Sequence, residues 1–433
     1  MAKLLEKQRY KCALASMLSV QAIEGAIPIL HAGPGCGNKL ADLSAGASGH
    51  FASQIFPCTG VNEKDVVFGG EQKLRTTIEN ALKIIDADLF MVLTGCSQEI
   101  VGDDVEEVVS EFEDREKPVI FCSTAGFKGN NYKGHEWVIN SLIDNYLEPS
   151  DTKEEGLVNI WADVPFQDLY WHGNLRALEE LVRSIGLKPN TIFGHARGLE
   201  NLKKVPSAQF NLLVSPWVGL DNVKKLENKF GTPYLHYPTI PIGAFETSKF
   251  LRTVAEFAGI SEDAVNKVID ERESYYYYFI ERFADTFMET RVMSRRFSVV
   301  SDAQYALGIT KFLVDDLGLF PAKQYITDDT PEKFQDDIRK YFKDMNYGVE
   351  SEVAFETDGY KIHKDIRETD YHGYPLILGS YWEKELGEEL NAHFLSVSNP
   401  ANERMIINSS YVGYDGGLKL IEDIYSVVKT RFN

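Results

Sequence analysis

Leu89–Asp104 reads LFMVLTGCSQEIVGDD. The apolar run Leu89–Leu93 predicts a buried strand, which ends in Thr94-Gly95-Cys96. Two adjacent carboxylates, Asp103 and Asp104, follow, and a new helical pattern begins there. In an open parallel sheet, ligands collect just beyond the carboxyl ends of strands. Cys96 falls at such an end, on a turn loosened by Gly95, which makes it a candidate ligand once other thiols converge on it.

Two others occupy comparable places. Cys36 lies in HAGPGCG, directly after the apolar run Ile27–Leu30, and Cys12 precedes the pattern ALASMLSVQAI. Free cysteine often serves only as a small buried hydrophobe, and that reading stays open for each thiol. As a set, with glycines flanking two of them, soft thiolates point to iron–sulfur or zinc. No CxxC spacing supports a zinc ribbon. Ligands spread this widely suit a cluster held between segments or between chains.

Composition limits what such a chain does. At 433 residues, two or three domains are expected, and 44% hydrophobic residues supply a real core. A net charge of −20 argues against nucleic acid or an anionic membrane as partner. Met1–Tyr10 shows no charged-then-apolar leader, and no apolar run approaches the ~18–20 residues of a membrane-spanning helix. Five cysteines without a disulfide-like framework suit a reducing cytoplasm. The expectation is a soluble cytoplasmic protein.

Strand and helix patterns alternate in three blocks, which favours an α/β fold with mainly parallel sheets covered by helices. The blocks are residues 1–151, 152–290 and 291–433. In the first, a helix opens at Gly69-Gly70 with Leu74, Ile78, Leu82 and Ile85 inward, and Asn38–Phe68, containing Cys58, is expected to be a long loop. Asp103 or Asp104 is expected to cap a helix that buries Val105, Val108, Val109 and Phe112, in preference to a role in proton transfer. Pro118–Cys122 is the next strand, and Ser123–Tyr132 a loop beyond it. In the second block, strands are expected at Leu157–Trp161, Thr191–Gly194, Phe210–Ser215 and Tyr234–Tyr237. Helices are expected at Asn174–Ile185, capped by Asn174, at Asn222–Phe230 and over Ser261–Glu289. The last contains Tyr275–Tyr278, and four tyrosines in a row cannot share one face, so some are expected at a domain or subunit contact. In the third block, strands are expected at Phe297–Val300, Pro321–Ile326 and Leu376–Leu378. Asp302 caps a helix over Ala306–Leu317, and the chain closes with a helix in Tyr411–Arg431. Neither GxGxxG nor GxxxxGK[ST] occurs cleanly, so the chain is not expected to hydrolyse nucleotide itself. HExxH and GxSxG are absent. His31 shares a loop with Cys36 and is read as bonding the loop backbone, with a ligand or proton-carrying role as the alternative.

The series KCALASMLSVQAIEGAIPILHAGPGCG, PCTGVNEKDVVFGGEQKL and LTGCSQEIVGDD resembles the N-terminal region of nitrogenase component 1 subunits and their relatives. A weaker likeness extends over nearly the whole chain, including the C-terminal GYDGGLKLIEDI. The resemblance implies three Rossmann-like domains, and Cys12, Cys36 and Cys96 as ligands of half a P-cluster-like iron–sulfur cluster shared with a homologous α-type subunit. It also implies electron delivery by an ATP-dependent iron–sulfur reductase protein to a cofactor in that partner. Ser215 stands near the place of the α-type cofactor cysteine, and Val412 at that of its histidine, so this chain resembles the β-type half. A serine that ligates the oxidised cluster in some β-type subunits falls near Gly126. Alternatives are a scaffold for metallocluster assembly, a nitrogenase-like reductase of a substrate other than dinitrogen, and a structural subunit with inert buried cysteines.

Overall fold

The computed structural model describes residues 9–46, 56–290 and 294–430. Three parallel sheets organise them. The first orders β1 (Ala26–His31), β2 (Leu89–Thr94) and β3 (Val119–Cys122) side by side. The second uses β4 (Glu154–Trp161), β5 (Lys188–Asn190), β6 (Ala208–Val214) and β7 (Tyr234–Tyr237) in the order β5-β4-β6-β7. The third comprises β8 (Arg296–Ser301), β9 (Phe320–Pro321), β10 (Gln324–Ile326), β11 (Val353–Phe355), β12 (Leu376–Gly379) and β13 (His393–Ser396). Its order is β11-β10-β8-β12-β13, with β9 also on β8. The α/β class with parallel sheets flanked by helices is therefore as expected. β2 is central, and Leu89–Leu93 are fully buried, each contributing about 1.5–3 kcal/mol of apolar burial.

Most expected elements occur within a residue or two, and the departures have local causes. Asn38–Phe68 is not one loop: Pro34–Gly46 and Glu63–Phe68 are helical, the latter opened by an Asn62 capping box. The strand expected at Thr191–Gly194 lies earlier, at β5. Pro189 within it lacks a donor and is tolerated because β5 is an edge strand. Asn174 is not a cap. The helix runs Trp171–Ser184, and the wholly buried Asn174 amide donates to Asp163 Oδ1 (3.0 Å) and Tyr305 Oη (2.7 Å). Pro321–Ile326 splits into β9 and β10. Asp302 does cap Ala303–Asp315, accepting from the backbone N–H groups of Gln304 and Tyr305. Of the four tyrosines, Tyr276 is buried against Asp316 (2.9 Å), while Tyr275, Tyr277 and Tyr278 face outward. No helix among the described residues is long and apolar enough to cross a membrane.

The cores cross between sheets. One joins Leu18, Leu30 and Leu93 to Trp161, Leu213 and Val223, and another runs from Val158 through Phe297 to Ile424. The N-terminal segment is fastened across them. Arg9 pairs with the wholly buried Glu383, which also bonds His363 (3.0 Å), and Lys11 Nζ donates to Gln167 (2.6 Å).

Asp163 and Asp328, both buried, and the half-buried Asp302, each just past a strand end, form an acidic group. Burial pushes the Asp163 carboxyl up to about 7, the Asn174 hydrogen bond opposing and the Asp302 charge adding, and burial pushes Asp302 up to about 6. The folded state thus holds protons that the unfolded chain releases near pH 4. The stability from this source is full below about pH 4 and is lost as pH rises through about 7. Urea midpoints between pH 5 and 8 should show a more negative dependence on pH in the wild type than in Asp163→Asn; identical slopes would refute the assignment.

Candidate metal-cluster site

The first sheet delivers its thiols at one edge. β1 runs into Ala32-Gly33, and Cys36 sits in the first turn of helix Pro34–Gly46 with its side chain exposed. β2 runs into Gly95, and Cys96 is the first residue of helix Cys96–Val101. The two turns touch. Gly95 N–H donates to His31 O (2.9 Å), and a Cβ on Gly95 would meet the Ala32 methyl at 2.8 Å, so the approach requires glycine. Cys12 comes from outside the sheet. It precedes the 3₁₀ turn Ala13–Ser16 and is bridged antiparallel to Asn130, in the loop beyond β3. Asn131 N–H donates to Lys11 O (2.9 Å), and Lys11 N–H to Asn131 Oδ1 (2.7 Å).

Gly126, in that same loop, lies between two of the thiols. Its N–H donates to Cys96 Sγ (3.2 Å), and a Cβ there would sit 2.4 Å from Cys12 Sγ and 3.4 Å from Cys96 Sγ. Cys36 joins them electrostatically. Partial loss of solvent around its sulfur pushes the thiol up although the residue is exposed, and the charges of Cys12, Cys96 and Cys58 push it further. Burial likewise raises Cys12, with a hydrogen bond from Leu14 opposing and Cys96 adding. As thiolates the set repels itself and calls for compensating positive charge, which bound metal supplies. Among the described residues, no three His, Cys, Asp or Glu side chains are placed around a single metal ion. The thiols form a spread set, not a mononuclear cage.

The remaining cysteines differ. Cys122 is buried in β3, and burial pushes its thiol up to about 12. Cys58 is half-buried, 3.3 Å from where a Cβ on Gly37 would lie, and its thiol bonds Ala32 O (3.5 Å).

His31 is wholly buried, with Nδ1 on Thr59 Oγ1 (3.2 Å) and Nε2 on Asp103 Oδ2 (3.0 Å). It therefore bonds side chains rather than the loop backbone, and burial lowers its pKa against the pull of Asp103. The two carboxylates divide their work. Asp104 caps Val105–Ser110, while Asp103 accepts from Gly70 N–H (2.9 Å) and holds His31. Ser215 and Val412 are both buried; the Ser215 carbonyl bonds His236 (2.8 Å). Sequence reasoning passed over Glu99, three residues beyond Cys96, which braces the Gly126 loop. Its position on the same helix was legible, but its partners were not.

A parallel α/β chain that gathers thiols at the ends of β1 and β2 matches, over residues 12–429, the family of nitrogenase component 1 type oxidoreductases, and the chain belongs to that family. Within it the chain stands with the β-type members. It is 23% identical over 443 residues to the nitrogenase molybdenum-iron protein beta chain of Clostridium pasteurianum, covering 96% of this chain and 91% of that one. It is also 23% identical to a light-independent protochlorophyllide reductase subunit of Angiopteris evecta, over 83% of this chain and 70% of that one. The solved structure of nitrogenase Cp1 at pH 6.5 superposes with a TM-score of 0.83 at 21% identity, covering 100% of this chain and 95% of that one, and shares the fold.

Proposed function

We propose that this chain is the electron-relaying β-type subunit of a nitrogenase-like oxidoreductase, with Cys12, Cys36 and Cys96 holding part of a P-cluster-like iron–sulfur cluster. The observation that carries this reading is the bare Gly126 between Cys12 and Cys96, where any side chain would collide with the Cys12 sulfur. The donor set suits the group: three soft thiols, the charges of Cys12 and Cys96 raising Cys36, with a backbone N–H aimed at the Cys96 sulfur. Cys12 and Cys36 are exposed, so the set is completed from outside, by a homologous α-type subunit. Apolar surface beside the thiols supports such a partner. Ile100 follows Cys96 on its helix, Phe127 adjoins Gly126, and Val67 and Phe68 lie on the neighbouring helix, all more than half exposed.

When bound, the cluster supplies single-electron transfer, drawing on an ATP-dependent iron–sulfur reductase and passing electrons to the partner. Ser215 and Val412, buried where the resemblance places a cofactor cysteine and histidine, support a substrate-reducing cofactor in the partner alone. The protochlorophyllide reductase likeness favours a second reading of the substrate, a tetrapyrrole-type ring in place of dinitrogen, through the same relay.

The deciding measurement is iron and acid-labile sulfide per chain, with EPR, on protein purified anaerobically with whatever subunit co-purifies. Several irons per chain and a signal that changes on oxidation are expected. Folded, partnered protein without iron would return the cysteines to core packing.

A further inference from the structure

The loop that carries Gly126 is fastened by a single carboxylate. Glu99 Oε1 accepts from Thr94 Oγ1, from Ser123 Oγ (2.7 Å) and from the Ala125 N–H (3.2 Å), and Oε2 pairs with Lys128. Thr94 Oγ1 accepts in turn from Thr124 N–H (3.1 Å), and Thr124 Oγ1 donates to Thr94 O (3.0 Å). The end of β2 and residues 123–128 are thereby clamped together. Glu99 belongs to the short helix that begins with Cys96, so the element that presents the thiol also sets the loop above it. Burial works against its ionisation, yet hydrogen bonds from Lys128, Thr94 and Ser123 hold Glu99 below the usual carboxylate range. The outcome of the clamp is the N–H of Gly126 directed at Cys96 Sγ.

We propose that Glu99 is a positioning residue that aims the Gly126 N–H at Cys96 Sγ and so raises the reduction potential of the group bound there. This rests on the reading of Cys12, Cys36 and Cys96 as cluster ligands. An N–H donor stabilises a thiolate sulfur more in the reduced state, which carries the greater negative charge, and therefore raises the potential. The charge on Glu99 acts in the opposite direction. The informative comparison is therefore between two neutral variants: Glu99→Gln keeps an amide oxygen for the loop donors, and Glu99→Ala keeps none.

The experiment is an EPR-monitored redox titration of the anaerobically purified complex in wild type, Glu99→Gln, Glu99→Ala and Ser123→Ala. Ser123→Ala removes one loop donor and leaves the Glu99 charge in place. Glu99→Ala is expected to titrate at a more negative potential than Glu99→Gln, and Ser123→Ala at a slightly more negative potential than wild type. Equal potentials in the two Glu99 variants, or an unshifted Ser123→Ala, would overturn the proposal. Should Glu99→Ala not fold, Ser123→Ala against wild type decides alone. A wild-type complex without any cluster signal fails the ligand reading itself; a normal signal with unshifted variants fails only the role of Glu99.

Discussion

Cys96→Ala, purified anaerobically with its partner, is expected to lose or convert its bound iron and sulfide and to abolish electron delivery, whereas Cys122→Ala is expected to be nearly silent. The two thiols stand close in the fold but in different chemistry. Cys96 opens a helix at the end of the central strand, receives the Gly126 N–H on its sulfur, and adds its charge to those that oppose ionisation of Cys12 and Cys36. Cys122 is enclosed in β3 and pushed up to about 12, far from the thiolate a metal needs. Its loss removes one sulfur from a core, costing stability on the order of 1 kcal/mol and no ligand. Iron, sulfide and the EPR signal read the contrast directly. Equal iron content and activity in the two variants would remove Cys96 from the ligand set.

Gly126→Ala is expected to cost most of the bound iron while leaving the fold standing. The added Cβ would lie 2.4 Å from Cys12 Sγ, well inside the ~3.5–4.0 Å of ordinary contact. Cys12 cannot retreat as a unit, because its backbone is bridged to Asn130 and its neighbour Lys11 is bonded to Asn131 and Gln167. The thiol must therefore turn away from Cys96. Overpacking of this kind costs about 1–3 kcal/mol, which a chain of this size tolerates. Gly35→Ala is the matched control, since a Cβ there meets nothing within 4 Å although it adjoins Cys36. Iron per chain and the thermal midpoint, measured together, separate loss of the site from loss of the fold; similar iron in the two variants would remove Gly126 from the site's design.

Much of the architecture was legible because apolar runs and caps are local signals. Leu89–Leu93 had to be buried whatever surrounded it, and Asp302 caps its helix with its own side chain. The failures lie where distant partners decide. Asn174 has the chemistry of a cap, yet Asp163 and Tyr305 draw it inside a helix. β5 carries a proline that its edge position excuses. For the candidate site, the glycine-flanked cysteines were expected just beyond β1 and β2, and the structure places Cys36 and Cys96 there, in the first turns of the helices that follow. The roles of Asp103 and Glu99 were hidden because their partners, His31, Gly70 and Ser123, lie 24 or more residues away.

The fastening of Arg9 to Glu383, 374 residues downstream, bears on the order of events during synthesis. Cys36 and Cys96 can take their places once the first sheet has left the ribosome. The segment leading into Cys12 gains its buried anchor only after nearly the whole chain has emerged. Nearly the whole polypeptide must therefore be present before the buried Arg9–Glu383 pair can form and close the segment before Cys12 onto the third sheet.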